Sequence, residues 1–125
     1  MDFARVRDIE GNVFPAGRQT RVLVGENAPI KAENFCMGQV TIFPGGQVPT
    51  HSHEQEEVYF VIDGTGEIEI EGETQPIAGG EAVYVPSGKT HNLRNPGSAD
   101  MTFMFVYAPA GVVDHWKQEI EGTLT

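Results

Sequence analysis

The sequence predicts an all-β domain, a sandwich or barrel of short strands followed by one short C-terminal helix. Glycine (15 residues) and proline (8 residues) recur along the 125-residue chain and divide it into short segments. Valine, isoleucine, phenylalanine, tyrosine and threonine dominate those segments, which is the pattern of strands joined by tight turns. Many short strands in succession are typical of sandwiches and barrels. The length fits one domain over residues 1–125.

Six segments have the composition of strands, and two shorter ones are weaker candidates. The six predicted strands are Arg21–Val24, Phe35–Phe43, Glu57–Asp63, Glu67–Glu71, Glu81–Val85 and Met101–Ala108. The two shorter candidates are Val13–Arg18 and His91–Asn95.

The clearest alternation lies in the fourth of these strands. Isoleucines at 68 and 70 alternate with glutamates at 67, 69 and 71. Successive side chains of a strand point to opposite faces, so the isoleucines share one face and the glutamates the other. We therefore expect a half-buried strand whose glutamates point into water.

A different periodicity marks the end of the chain. Apolar residues there recur at spacings near 3.6, and Gly122 follows as a stop signal, which predicts a short amphipathic helix. The residues of its predicted apolar face are Val112, Val113, Trp116 and Ile120.

The charge of the chain excludes two classes of partner. The sequence has 18 acidic against 8 basic residues and a net charge of -10. A nucleic-acid-binding protein needs a basic face, and docking on an anionic membrane surface needs basic residues as well. No lysine or arginine occurs between Lys31 and Lys89. We therefore expect neither nucleic acid nor a membrane as a partner.

Cysteine content and hydropathy favour a cytoplasmic protein. Cys36 is the only cysteine, so neither an intrachain disulfide nor a cysteine-based metal site is available. The first ten residues are rich in charge and lack the apolar stretch of a signal peptide. The longest apolar stretch, Met101–Gly111, is too short to span a bilayer.

Three of the four histidines lie where they could bind a metal ion together. In an extended segment, His51 and His53 point the same way, with Cα atoms roughly 6.6–7 Å apart. Glu57 shares their face if no bulge intervenes, and His91 lies on a later strand that can pass beside the first in a closed barrel. Three imidazoles and a carboxylate suit a divalent first-row metal such as Mn, Fe, Co, Ni or Zn. A His-x-His pair is also common in solvated loops, so the spacing alone leaves both interpretations open.

Two segments of the chain resemble the two sequence motifs of the cupin superfamily. The first consists of Gly45, five residues, His51-Ser52-His53, three residues, Glu57, six residues and Gly64. The second consists of Gly80, five residues, Pro86-Ser87-Gly88, two residues, His91, three residues and Asn95. Every fixed position of both motifs matches. With the surrounding strand pattern, the likeness covers about Phe35–Ala108.

The resemblance implies a fold and a metal site. The implied fold is a small antiparallel jelly-roll β-barrel of the single-domain cupin type, with a core over about residues 35–108. By position, His51, His53, Glu57 and His91 match the metal ligands of the family, which implies one divalent transition metal ion per chain. An octahedral ion with four protein ligands keeps two positions for water or substrate.

Two classes of function agree with such a site. The first is an enzyme that acts on a small, oxygen-rich metabolite by dioxygenase, decarboxylase, isomerase or lyase chemistry. The second is a non-catalytic cupin that binds or senses a small molecule. The resemblance does not choose between them, because one fold and one ligand set serve several reactions. The sequence identifies no catalytic residue beyond the metal ligands.

Strand parity suggests which side chains line the ligand pocket. The candidates are Gln39, Thr41, Tyr59 and Met104. Tyr59 shares the predicted face of Glu57, and for every candidate core packing is the alternative role. Arg21 and Arg94 are candidates for holding an anionic substrate, with a surface role as the alternative. His115 is interpreted as a surface residue of the C-terminal helix.

The opposite face of the third predicted strand suggests a subunit contact. Val58, Phe60 and Ile62 alternate against the predicted metal ligand Glu57, so they should point out of the barrel. Three outward apolar side chains need cover from the terminal segments or from another subunit. We therefore expect a homodimer.

Overall fold

Two β-sheets and one helix make up the part of the chain that the computed structural model describes, residues 1–111 and 113–125. A 3₁₀ turn at Val6–Asp8 comes first. The strands are β1 (Asn12–Phe14), β2 (Arg18–Gly25), β3 (Ile30–Lys31), β4 (Cys36–Ile42), β5 (Gln47–His51), β6 (Glu56–Asp63), β7 (Thr65–Ile70), β8 (Glu73–Ala78), β9 (Ala82–Val85), β10 (His91–Arg94) and β11 (Met101–Ala108). The helix α1 (Asp114–Ile120) follows.

The two sheets have a jelly-roll arrangement. The larger sheet runs in the order β1-β2-β4-β11-β6-β9, with β3 paired in parallel to β2. The smaller sheet runs in the order β5-β10-β7-β8. All pairs except β2–β3 are antiparallel, and most neighbours in the sheets are distant in sequence. The predicted fold class is confirmed.

The core lies between the two sheets. From the larger sheet it takes the alternate residues of β4, β6 and β11, such as Ile42, Val61 and Phe103. From the smaller sheet it takes residues such as Ile68 and Leu93. These side chains are fully buried, so a single apolar cluster holds the sheets face to face.

A glycine of the first motif makes one tight connection in this barrel. Gly64 links β6 to β7 with φ of 87°, a conformation that side chains disfavour. A Cβ atom at this position would lie 2.6 Å from the carbonyl oxygen of Asp100. Close backbone packing therefore requires glycine there.

The strand predictions were correct in the centre of the barrel and incomplete at its margins. The six principal segments correspond to β2, β4, β6, β7, β9 and β11. The weaker candidate Val13–Arg18 is not one strand: Val13 and Phe14 belong to β1, a turn follows at residues 15–17, and Arg18 begins β2. Strands β3, β5 and β8 were not predicted from the sequence, and two of these contain a proline, Pro49 in β5 and Pro76 in β8. Pro76 is tolerated because β8 is an edge strand of its sheet.

The C-terminal helix exists, but its buried face differs from the predicted one. His115 and Glu119 are its buried residues, while Ile120 is 57% exposed. Val113 is buried just before the helix begins, and Val112 lies outside the described residues. The buried face of the helix is therefore rotated by about one residue relative to the apolar stripe in the sequence. The reason is that His115 and Glu119 form hydrogen bonds inside the barrel.

An apolar strip covers the outer face of β6 and its neighbours. Val58, Phe60 and Ile62 are 40%, 45% and 49% exposed, which confirms that they point outwards. Val58 pairs directly with Tyr84 on β9 and with Val106 on β11, both of which are also exposed. We call these five residues the outer apolar face.

Within the described residues, no helix is long and apolar enough to cross a membrane.

Candidate metal centre

Four side chains of the two motifs converge at one end of the barrel interior. Each of His51, His53, Glu57 and His91 offers a nitrogen or oxygen atom, and these atoms all lie within 4.8 Å of one another. His51 ends β5 and pairs directly with His91, the first residue of β10. Glu57 comes from β6 of the other sheet. The cluster thus bridges the two sheets where they approach each other.

Backbone carbonyl groups fix the orientation of the three imidazoles. Nδ1 of His51 lies 2.6 Å from the carbonyl oxygen of Pro49. Nδ1 of His53 lies 2.8 Å from that of Gln55, and Nδ1 of His91 lies 2.8 Å from that of Lys89. A carbonyl oxygen only accepts, so each Nδ1 carries the proton and donates it. Each Nε2 is therefore left with a free lone pair, as a metal ligand requires.

The carboxylate of Glu57 lies among these free nitrogens. Its Oε1 atom is 3.2 Å from Nε2 of His53 and 3.4 Å from Nε2 of His91. Neither contact has hydrogen-bond geometry, and within the part of the chain that the structure describes both Glu57 Oε1 and His91 Nε2 are buried without a hydrogen-bond partner. Buried polar atoms without partners are costly, and a cation between them would satisfy both. The donor set therefore fits a divalent metal ion.

Burial and mutual interaction set the protonation of the cluster. Burial lowers the pKa of His51 far below its usual value, and the neighbouring His115 and His91 add to the effect, so this imidazole is neutral. Burial alone would lower the pKa of His53, but its contact with Glu57 outweighs burial and raises it. Burial alone would likewise raise the pKa of Glu57, but His53 and His91 outweigh burial and lower it. Glu57 is thus charged, and a metal ion bound beside it would compete with any proton on His53.

His115 reaches the cluster from α1, contrary to its interpretation as a surface residue. It is buried, and its ring stacks on that of His51. Nδ1 of His115 donates to Oε2 of Glu119 at 2.7 Å. Arg18 on β2 donates through the two terminal nitrogens of its guanidinium group to the two carboxylate oxygens of Glu119. A polar chain therefore runs from the cluster through α1 to β2.

The sequence contains only a weak signal for this chain. His115 and Glu119 are four residues apart, so a helix places them on the same face. Arg18 is 101 positions away from Glu119, and nothing local indicates that they meet. The i, i+4 spacing of these two polar residues on the predicted helix was the one local indication that they act together.

A narrow cavity lies beside the cluster. It is lined by Glu57 and Tyr59, by Arg18, Thr20 and His115, and by apolar side chains including Phe105 and Trp116. With α1 in place it has room for about one or two water molecules. Burial raises the pKa of the Tyr59 hydroxyl well above its usual value, and the Glu57 charge adds to this, so Tyr59 is a neutral donor.

Of the predicted pocket residues, only Tyr59 lines this cavity; Gln39, Thr41 and Met104 require correction. Gln39 pairs with Met104, and Met104 pairs with the outward-pointing Phe60. Directly paired residues share a face, so Gln39, which is itself buried, and Met104 lie on the outer face of the larger sheet, and Thr41 lies on the same side as Gln39. The apolar Val40 and Ile42 take the inner positions of β4 because they supply the core.

The two predicted candidates for anion binding are also outside the cavity. Nε of Arg21 donates to the carbonyl oxygen of Ile9 at 2.8 Å. Arg94 forms an exposed ion pair with Glu67. The alternative surface role is therefore the one the structure gives them, and Arg18 is the arginine inside the barrel.

Comparison with known proteins identifies a family. Residues 38–107 match the Cupin domain family, and this match covers more than half of the chain. It contains both segments singled out in the sequence and all four residues of the cluster.

Two curated relatives match parts of the chain. The oxalate-binding protein of Thermotoga maritima is 36% identical over 64 residues, which are 50% of this chain and 53% of that protein. The 5-nitrosalicylic acid 1,2-dioxygenase of a Bradyrhizobium species is 38% identical over 72 residues, which are 58% of this chain and 34% of that enzyme. The chain thus spans about half of the first relative and a third of the second.

A solved structure resembles nearly the whole fold. The crystal structure of a predicted oxalate decarboxylase from Thermotoga maritima superposes with a TM-score of 0.76 and 22% sequence identity. The superposition covers 86% of this chain and 98% of that one. At this identity the likeness concerns the fold alone.

Proposed function

Because this chain belongs to the Cupin domain family, we propose that its barrel binds one divalent transition metal ion through His51, His53, Glu57 and His91. The observation that carries the proposal is the convergence of three oriented imidazole nitrogens and one carboxylate oxygen within 4.8 Å. This donor set contains no thiolate, which favours Mn, Fe, Co, Ni or Zn over Cu(I).

The ligand that this site suits is a small molecule rich in oxygen atoms. When bound, the ion supplies Lewis acidity to a ligand oxygen at the positions that the protein leaves open. The chain's own residues then shape the site: Tyr59 offers a neutral hydroxyl donor, and Phe105 and Trp116 exclude bulk water. We propose an enzyme that carries out dioxygenase, decarboxylase, isomerase or lyase chemistry on such a metabolite.

A non-catalytic binding or sensing cupin is the second candidate. One observation favours it: with α1 in place, the cavity beside the cluster is narrow. One matched relative is named as a binding protein and another as a dioxygenase, so relatives support both candidates.

Metal binding is tested by loading and by substitution. Protein purified without chelator is analysed for metal content, and metal-free protein is titrated with each of the five metals while its melting temperature is followed. We expect close to one ion per chain and a rise in melting temperature, since ligand binding to the folded state stabilises it. Fewer than about 0.1 ion per chain, together with no thermal shift for any of the five metals, would refute the site.

Catalysis is tested on the metal-loaded protein. A library of small carboxylates, keto acids, sugars and phenols is screened by thermal shift, and each hit is incubated with the protein and analysed by mass spectrometry. A product that requires both the metal and Glu57 supports the enzyme. Tight binding without a product supports the binding protein.

A further inference from the structure

A buried ion pair lies beside the metal cluster and belongs to neither motif. Arg18 and Glu119 are 1% and 2% exposed. The two terminal nitrogens of the Arg18 guanidinium, Nη1 and Nη2, donate to the two carboxylate oxygens of Glu119. The distance from Nη2 to Oε2 is 2.8 Å. The guanidinium also lies over the ring of Phe14, 3.9 Å from its centroid. Arg18 is thus held in a fixed position with its hydrogen-bonding edge directed at a carboxylate.

Stability alone is a weak reason for such a pair. The cost of removing both charges from water offsets most of their attraction, so a buried ion pair adds little over an apolar pair of similar size. Burial alone would raise the pKa of Glu119, but hydrogen bonds from Arg18 and His115 outweigh burial and lower it. The carboxylate is therefore charged and sits inside the barrel in the anionic form.

Arg18, one member of the pair, lines the same cavity as Glu57. Arg18 and Thr20, two residues apart on β2, point the same way into it. The hydroxyl of Thr20 is buried and has no hydrogen-bond partner among residues 1–111 and 113–125. This wall of the cavity therefore has a cation held in place and an unused hydroxyl, which together match the needs of a carboxylate group.

Glu119 reaches this wall only through α1. That helix has seven residues, and no side chain caps its N-terminus. Its inner face consists of His115, Trp116 and Glu119, while its other side is exposed. A single seven-residue helix outside the hydrogen-bonded ladders opens more easily than the sheets do.

We propose that Arg18 and Thr20 form a subsite for a carboxylate group of the ligand, and that Glu119 occupies this subsite until a ligand carboxylate displaces it and α1 moves away. The ligand is then a small dicarboxylate, with one oxygen-bearing end at the metal cluster and the other at Arg18. This inference rests on the proposed function, because the first end needs the metal. It also accounts for the narrow cavity, since the displacing group takes the volume that Glu119 now fills.

Two readouts test the inference on zinc-loaded protein. Calorimetry measures the affinities of succinate, glutarate and adipate and of the monocarboxylates butyrate and valerate. The fluorescence of Trp116, the only tryptophan, reports on α1, because its ring packs against Phe14 and Phe105. Zinc has no unpaired electrons that would quench this signal.

The expected results separate the subsite from the metal. We expect at least one dicarboxylate to bind and to shift Trp116 emission to longer wavelength, and the monocarboxylates to leave the emission unchanged. Glu119→Gln weakens the internal competitor and should tighten dicarboxylate binding about tenfold. The matched control Glu121→Gln, an exposed residue of the same region, should leave the affinity unchanged. Arg18→Met/Glu119→Met, which removes both charges together, should fold and lose the preference for dicarboxylates.

Two results would contradict the proposed subsite. If no dicarboxylate binds Glu119→Gln more tightly than it binds the unmodified chain, or if the double variant keeps the preference, the ion pair is only structural. The zinc content of the same samples is measured separately. Samples that hold zinc but give that result overturn this inference alone, whereas a chain that binds neither zinc nor any of the other four metals overturns the proposed function.

Discussion

The imidazole of His115 lies against that of His51, with ring centroids 3.7 Å apart and an angle of 23° between the planes. A helix that follows the last strand thus contributes to the environment of a residue in the first motif. Burial lowers the pKa of His115, with Glu119 opposing the effect, and burial lowers that of His51 far more. Two neutral rings can stack in this way, whereas two charged ones would repel each other.

His115→Ala should destabilise the protein by about 2 kcal/mol. The substitution removes a buried ring and takes one hydrogen bond from Glu119, and each loss costs about 1 kcal/mol or more. Urea unfolding of metal-free protein at pH 7.5 measures the change. Lys117→Ala on the exposed side of α1 is the control and should stay within about 0.5 kcal/mol. A loss for His115→Ala as small as that of the control would mean that the ring stack is not formed in solution.

Glu57→Gln should weaken metal binding by at least tenfold. The amide keeps the size of the side chain but lacks the charge that the ion would neutralise, and it is a poorer metal ligand. Competition with a chromophoric chelator measures the affinity. Glu54→Gln, three residues earlier and exposed, removes the same charge from the same segment and should leave the affinity nearly unchanged. Equal effects of the two substitutions would point to general electrostatics rather than ligation.

The stability of the metal-free protein should fall as the pH falls below about 6.5. The folded-state pKa values of His51 and His115 are lowered, so below their usual value the unfolded chain binds more protons than the folded one. Each such group can remove up to about 1.4 kcal/mol per pH unit. The raised pKa of His53 has the opposite effect and stabilises the folded chain as the pH falls. This stabilisation is complete once the pH is below the pKa of histidine in the unfolded chain.

Urea unfolding at pH 7.0, 6.0 and 5.0 in the presence of a chelator tests this dependence. We expect a loss of at least about 1 kcal/mol between pH 6.0 and 5.0. His51→Gln should flatten the curve, since it removes the group with the larger shift. A free energy of unfolding that is constant or rises towards pH 5.0 would contradict the assigned protonation states.

The outer apolar face should bury itself in a homodimer. Its five residues are exposed in the single chain, and neither terminal segment covers them among the described residues. Light scattering near 10 μM should give the mass of two chains. Phe60→Glu places a charge in the centre of the face and should give the mass of one chain, while Glu73→Gln, an exposed residue of β8, should not. A monomeric mass for the unmodified chain at this concentration would refute the dimer.

The sequence predicted what local spacing determines. His51 and His53 share a face because they are two residues apart in extended chain, and the motif positions brought Glu57 and His91 to them in the structure. Nδ2 of Asn95, the last fixed position of the second motif, donates to the carbonyl oxygens of Ile42 and Ala99. Whether the four residues of the cluster bind metal is still a prediction.

The wrong predictions concern residues whose burial depends on contacts with distant parts of the chain. Gln39 and Thr41 were assigned to the interior from strand parity, whereas the structure places the alternate apolar residues of β4 in the core. Ile120 was assigned to the buried face of its helix because it is apolar. Glu119 lies on that face instead, because its carboxylate pairs with the buried Arg18. No local pattern contains that preference, since the partner is on another strand.

The distance along the chain between Arg18 and Glu119 has a consequence for folding. Their contact closes a loop of 101 positions, and contacts of such high order form late because they cost the most chain entropy. Before α1 docks, Arg18 has no carboxylate partner, so we expect its guanidinium to be hydrated. We therefore expect the two sheets to assemble before α1 closes over the site, so that Trp116 emission lags behind the formation of β structure during refolding.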